Sequence, residues 1–222
     1  MDATVVKVGG SLALRSKKLK SLCAALSEVS KEHKLVLLPG GGEFADIVRK
    51  ADKRFGLSAE ASHHMAILGM DQYGFLLSDL TRDSCVVCQL ENVQKVLDMN
   101  KLPIFLPSNL LLKEDPLENS WNVTSDSIAA HIASQLQVNR VILVTDVDGI
   151  YTQDPKKYSN AQLKKRISAK QLGEMHKRTS VDKFLPFLLS QLHIQCFVVN
   201  GLCPERIKAI LAGQKTICTL ID

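Results

Sequence analysis

At 222 residues, 45% hydrophobic and 23% charged, the chain can bury one large core, which excludes a disordered or low-complexity protein. Its 28 basic and 23 acidic residues leave a formal charge of +5, and aromatics make up 5%; this mild excess suits anionic small molecules, stacking on single strands has little support, and no nucleic-acid partner is expected. No apolar stretch approaches the roughly 20 residues that span a bilayer, and the start MDATVVKVGG lacks the basic and apolar segments of a signal peptide, which predicts a cytoplasmic protein with no membrane partner.

The first apolar run, TVVKV at 4–8, reads as a buried strand and leads into Gly9, Gly10 and Ser11. Leu19, Leu22, Cys23, Leu26 and Val29 then form one stripe of a helix. KLVLL at 34–38 is the second strand, followed by Pro39-Gly40-Gly41-Gly42-Glu43 and a helix-like segment. EASHHMAILGMDQYGFLLSDL at 60–80 keeps a helical period through Ala61, Met65, Leu68, Gln72, Leu76 and Asp79. CVVCQ at 85–89 and LPIFL at 102–106 are further strands. In a strand Cys85 and Cys88 point to opposite faces and cannot easily share a metal, so the six cysteines read as buried reduced thiols and no protein metal site is expected.

After a loop-rich stretch at 107–125, NVTSDSIAAHIASQL at 122–136 opens a helix with Asp126 in its first turn and a stripe of Ile128, Ile132 and Leu136. RVILV at 140–144 is a strand that runs into TDVDGIYTQDPK, an acidic turn whose spacing does not fit a calcium loop. A second loop-rich stretch covers 150–180, and within it the basic run KKRISAK at 164–170 reads as a solvated loop face. Phe184, Leu185, Leu188, Leu189 and Leu192 form a last stripe, in which Pro186 demands a first turn or a kink. QCFVV at 195–199 and TICTLI at 216–221 close the series of strands. Strands alternating with helices predict the α/β class, with a mostly parallel sheet covered on both faces, because parallel strands need long crossovers. No linker or repeat divides the chain, so residues 1–222 read as a single domain.

In such sheets ligands bind beyond the carboxyl ends of the strands. The two glycine groups there would let backbone N–H groups approach an anion, with a helix N-terminus behind each. Taken singly, each also fits an unliganded turn, and neither is a P-loop or a GxGxxG fingerprint. Lys7 interrupts an apolar strand, where its charge must reach solvent at the strand end or meet an anion. Asp126 by itself need only complement the helix dipole.

Together and in order, KVGGSL at 7–12, PGGGEFAD at 39–46, NVTSDSIAAHIA at 122–133, LVTDVDGIYTQDPK at 143–156 and SVDKFLPFLL at 180–189 resemble the amino acid kinase family. Acetylglutamate kinase, aspartokinase, uridylate kinase and isopentenyl phosphate kinase are members. The resemblance implies a three-layer α/β/α sandwich that binds ATP across the carboxyl edge of the sheet and passes its γ-phosphoryl to an anionic acceptor. The acceptor side would occupy about 1–120 and the nucleotide side about 121–222. Lys7 and Lys183 would be the cations on the transferring group and Asp126 the acid that orients both. Gly9, Gly10, Ser11, Gly41 and Gly42 would cradle phosphate, with Gly40, Glu43 and Asn122 on the acceptor side. Thr145, Asp146, Asp148, Gly149, Tyr151, Asp154, Pro155 and Lys156 would form the nucleotide side. Mg²⁺ is expected mainly on the nucleotide phosphates. A homo-oligomer is implied as well. The chain departs from the family pattern at Arg178, where many relatives have glycine, and at Cys218-Thr219, where Gly-Thr is frequent.

Within the family, the helix at 60–80 with PGGGEFAD and SVDKFLPFLL resembles an archaeal and methylotroph branch. Its kinase converts [5-(aminomethyl)furan-3-yl]methyl phosphate to the diphosphate in methanofuran biosynthesis. A phosphate monoester is largely dianionic near neutral pH, its second pKa being about 6, so no strong general base is needed. Arg49 or Arg54 could meet that phosphate and Asp71 the ammonium, against plain surface roles for each. His63 and His64 read as surface or satisfied core residues, with contact to the acceptor as the alternative. Uridylate and isopentenyl phosphate are the rival acceptors, and a non-catalytic nucleotide or oxyanion binder is the rival of another class.

Overall fold

The computed structural model describes residues 3–175 and 179–222. The first half of the chain forms β1 (Thr4–Val8), a 3-10 helix (Gly10–Leu14), α1 (Ser16–Ser30), β2 (Leu35–Pro39), α2 (Gly42–Phe55), α3 (Ala59–Leu80), β3 (Ser84–Val87), α4 (Glu91–Asp98), β4 (Leu102–Phe105) and α5 (Ser108–Glu114). The second half forms α6 (Ser125–Gln135), β5 (Arg140–Thr145), β6 (Ile150–Tyr151), β7 (Leu163–Lys164), β8 (Arg166–Ile167), α7 (Ala169–Gly173), α8 (Leu185–Gln191), β9 (Gln195–Asn200), α9 (Glu205–Leu211) and β10 (Thr219–Ile221).

One eight-stranded sheet runs in the order β3-β4-β2-β1-β5-β9-β10-β8, and β6 pairs with β7 apart from it. In the large sheet only β9 and β10 pair antiparallel. Successive side chains of a strand point to opposite faces, and the central strands are apolar on both. Val5, Val36, Leu38, Val141 and Leu143 share one core with residues of α6 and α8. Val6, Val8, Leu37, Ile142 and Val144 share the other with α1 and α9. Helices cover both faces, which is the three-layer α/β/α sandwich expected. By the same alternation Lys7 falls on the face of Val5, the α6 side.

Two local readings need correction. α3 spans the expected length, but it buries Ser62, His63, Ile67, Met70, Tyr73 and Leu77, while Met65, Leu68 and Leu76 of the predicted period stay exposed. This helix is apolar on both sides, so periodicity alone could not tell the inner face from the outer. The loop-rich stretches hold α5 in one case and β6, β7, β8 and α7 in the other, elements too short to show a period. KKRISAK is part of the latter: Ser168 and Gln171 form a reciprocal capping box that starts α7, and Arg166 pairs with Asp222.

β1 lies between β2 and β5, so the sequence-adjacent neighbour sits on one side and a later strand on the other. Such a reversal of strand order opens a crevice at the carboxyl ends. The loops after β1, β2 and β5 all end there.

Candidate active site

The two glycine loops touch each other through their backbones. A Cβ on Gly10 would lie 2.1 Å from the Gly42 Cα and N, so a side chain there would displace the other loop, while Gly42, at φ +54°, holds a left-handed backbone that favours glycine. Gly10 begins the 3-10 helix and Gly42 begins α2, and the first N–H groups of a helix have no intrahelical acceptor. Two other glycines are used differently. The Gly9 N–H donates to the Val144 carbonyl at 2.8 Å and the Gly40 N–H to that of Val8 at 2.9 Å. Both extend the sheet pairing, so the open cradle consists of Gly10, Ser11, Gly41 and Gly42.

Lys7 is buried, and its Nζ lies 2.5 Å from Asp126 Oδ1. The Asp126 Oδ2 accepts the Asp182 N–H at 3.1 Å. Asp182 in turn joins two helices. Its Oδ2 accepts the N–H groups of Thr124 and Ser127 at 2.9 and 3.0 Å, and its Oδ1 accepts those of Phe184 and Leu185 at 3.2 and 2.9 Å. The carboxylate therefore caps α6 from a distant segment and the start of α8 from within. Burial, reinforced by the Asp126 carboxylate, raises its pKa against the pull of these donors. Lys183, the next residue, is exposed and makes no ion pair among the described residues. It lines a cleft of about 860 Å³ with Asp126, Asn122 and Thr124. Asp126 thus orients Lys7 directly, and Lys183 only through the backbone of Asp182.

On one side of this cleft a cavity of about 650 Å³ is lined by Thr145, Asp146, Gly149, Tyr151, Asp154, Pro155 and Lys156. Ser11 also lines it, and Thr179 and Ser180 border both spaces. Burial opposes ionisation of Asp146, but its pair with Lys156 outweighs this and holds the carboxyl below the usual range. Asp148 does not line the cavity. It accepts hydrogen bonds from Asn200 Nδ2 at 2.9 Å, Arg206 Nη1 at 2.6 Å and Tyr151 OH at 3.2 Å, so it positions Tyr151 and ties the β5 turn to β9 and α9.

On the other side a cavity of about 290 Å³ is lined by Gly41, Gly42, Glu43, Arg49, His63 and Trp121, with Ile67 and Met70 as its apolar wall. Arg49 pairs with Asp46 at 3.1 Å and stacks over Trp121 at 4.5 Å. Burial lowers the pKa of His63, with Asp115 opposing. Asp71 is absent from the cavity lining. It accepts from Ser108 N at 3.3 Å and from the Ser108 hydroxyl, holding the first turn of α5. Asn122 faces the central cleft instead, Arg54 lies over Phe55 at 5.2 Å, and His64 sits 3.8 Å from Asp115. Arg178 lies outside the described residues.

A profile of the amino acid kinase family matches residues 2–200. The chain belongs to that family. It is 40% identical over 219 residues to the [5-(aminomethyl)furan-3-yl]methyl phosphate kinase of Methanocaldococcus jannaschii, covering 98% of this chain and 96% of that protein. It is 28% identical over 235 residues to the uridylate kinase of Thermococcus kodakarensis, covering 98% and 93%. Among solved structures, uridylate kinase from Archaeoglobus fulgidus superposes with a TM-score of 0.79 at 22% identity over 99% of this chain and 100% of the other. An isopentenyl phosphate kinase from T. acidophilum superposes with a TM-score of 0.67 at 21% identity over 99% and 100%. These two structural likenesses concern the fold.

Two residues of this amino acid kinase site escaped sequence reasoning. Asp182 stands just ahead of an apolar stripe with Pro186 in its first turn, an N-cap signal that was there to be read. Trp121 is the single tryptophan of the chain, set in a polar loop, and nothing in the sequence said that it would line the small cavity, the central cleft and a further cavity at once.

Proposed function

We propose that the protein is an ATP-dependent kinase that transfers a phosphoryl group to a small phosphate monoester, [5-(aminomethyl)furan-3-yl]methyl phosphate, giving the diphosphate. The observation that carries this reading is the linked set Lys7, Asp126, Asp182 and Lys183, which borders a cleft between a large polar cavity and a small, partly apolar one. The large cavity would take ATP and the small one the acceptor. Phosphoryl transfer asks for in-line positioning and for positive charge on the shifting oxygens, which Lys7, Lys183 and the N–H groups of Gly10, Ser11, Gly41 and Gly42 would supply. Arg49 would meet the phosphate of the acceptor, Glu43 would stand at the mouth of its cavity, and Asn122 on its path into the cleft. The acceptor side would come from residues up to about 120, as the family implies, joined by Trp121, Thr124 and Ser125.

No cluster of three or more His, Cys, Asp or Glu suited to a metal ion occurs among the described residues. Mg²⁺ would be carried mainly by the nucleotide phosphates and its own waters, where it would neutralise their charge. Among the described residues no helix is long and apolar enough to cross a membrane. A homo-oligomer is supported by the exposed Leu68, Phe75 and Leu76 of α3, beside which Ile47 and Phe44 of α2 line a shallow hollow with Leu76.

The test is the product mass after incubation with ATP, Mg²⁺ and a panel of phosphate esters. A diphosphate from the aminomethylfuran ester is expected. Phosphorylation of UMP or isopentenyl phosphate in its place would replace the acceptor, and nucleotide binding without any product would favour a non-catalytic binder.

A further inference from the structure

Behind the small cavity lies another of about 280 Å³, lined by Asp52, Ser62, His63, Asn119, Ser120 and Trp121 among others. His63 and Trp121 line both spaces, so the two cavities meet across these rings. The second one holds an amide oxygen without a donor and a carboxylate without a cationic partner among the described residues. Asn119 Nδ2 donates to Asp115 Oδ2 at 2.9 Å, which fixes the amide's orientation because a carboxylate can only accept. The opposite atom, Asn119 Oδ1, is buried with no hydrogen-bond partner among the described residues. The Asp52 carboxylate accepts the Trp121 indole N–H, at 2.7 Å, and makes no ion pair among the described residues. No Lys or Arg among the described residues lines the space.

We propose that this second cavity is the subsite for a primary ammonium group on the acceptor, bound by the Asp52 carboxylate and the Asn119 amide oxygen. An ammonium carries three donors and no acceptor, so it complements one carboxylate oxygen, one amide oxygen and a water or backbone carbonyl. The rival acids are poorly placed. Asp46 is already paired with Arg49, and Glu43 is exposed at the mouth, where water and salt screen its charge. The ring between phosphate and ammonium would pass His63 and Trp121, whose faces suit a flat heterocycle. Arg49 over the face of Trp121 marks the phosphate end, and Asp52, about one helical turn further along α2 and at the indole N–H, the ammonium end.

This inference rests on the proposed acceptor, and the experiment separates the two. The kcat/KM values of [5-(aminomethyl)furan-3-yl]methyl phosphate and its 5-methyl analogue are measured for wild type, Asp52→Asn and Asn119→Leu, with thermal unfolding midpoints as a control on folding. Asp52→Asn keeps an oxygen for the Trp121 N–H but loses the charge. The wild type should prefer the amine, and Asp52→Asn should cut that preference at least about tenfold, chiefly through KM of the amine, because one buried polar partner is left without its charge complement. Asn119→Leu should cut it in the same direction, and it decides alone if Asp52→Asn does not fold. A loss shared equally by both acceptors would mean that Asp52 only props Trp121, and would overturn the subsite. A wild type inert to both esters would overturn the proposed function and this inference with it.

Discussion

Asp126 carries two loads, the Lys7 ammonium on Oδ1 and the Asp182 N–H on Oδ2, and the two lysines it serves should fail differently. Lys7→Ala strands a buried carboxylate, which costs about 3–5 kcal/mol when a buried pair is broken. Lys183 is exposed and unpaired among the described residues, so Lys183→Ala should leave the denaturant midpoint where it is. Both should lower kcat at least about 100-fold, the scale of losing one electrostatic stabiliser of the transition state. Kinetics beside urea unfolding checks this, and a Lys183 variant with full turnover would remove that residue from the chemistry. His63 gives a pH signature. Burial holds its pKa below the ordinary value, as it does for His131. The unfolded chain then takes up protons first as pH falls, so stability present above about pH 6.5 declines as pH drops toward the folded value. Unfolding free energy measured from about pH 7.5 to about pH 5.5 should fall, and His63→Gln should remove part of that slope while His131 keeps the rest. At this scale the sequence pointed to Lys7 because a charge in an apolar strand demands a partner, but which acid answers it is a matter of which helix packs on that face.

Among the elements, α6 and α8 depend on one carboxylate. Thr124 is the N-cap of α6, yet its side chain makes no cap bond; its hydroxyl donates to Asp182 at 2.9 Å instead. Asp182→Ala would leave the N–H groups of Ser127 and Leu185 without acceptors and destabilise the protein by about 1–3 kcal/mol for each buried donor left unmade. Amide hydrogen exchange should show both residues losing protection together, and loss confined to α8 would mean that α6 is capped by other means. The longer strands and helices were legible beforehand, because parallel strands with two buried faces read as continuous apolar runs, whereas the two-residue β6, β7 and β8 were not. The inner face of α3 was not, since Met65, Leu68 and Leu76 compete on equal terms with Ile67, Met70 and Leu77 for a core that only packing assigns. Asp71 went astray for a similar reason: an acid on a helix looks available for a ligand until the neighbouring α5 brings Ser108 to it.

For the whole molecule, the crevice beside β1 gathers three spaces in a row, and the residues shared between them, Ser11, Arg49, Trp121, Thr124, Thr179 and Ser180, come from four separate segments of the chain. The outer face of α3 leaves Phe75 60% exposed and Leu68 46%, apolar area of the kind that marks association. Phe75→Glu should halve the assembly mass measured by light scattering or reduce it to that of one chain, whereas an unchanged mass would place the interface elsewhere. The sequence by itself determined the α/β class, the glycine loops, the buried lysine and the family resemblance, because these depend on local period, backbone freedom and ordered motifs. The tertiary structure alone decided that the Gly42 backbone leaves no room for a side chain on Gly10, that Asp148 and Asp71 serve as struts, and that Trp121 borders three spaces at once. Those are facts about distances between residues far apart in the chain, and no local pattern of residues encodes them.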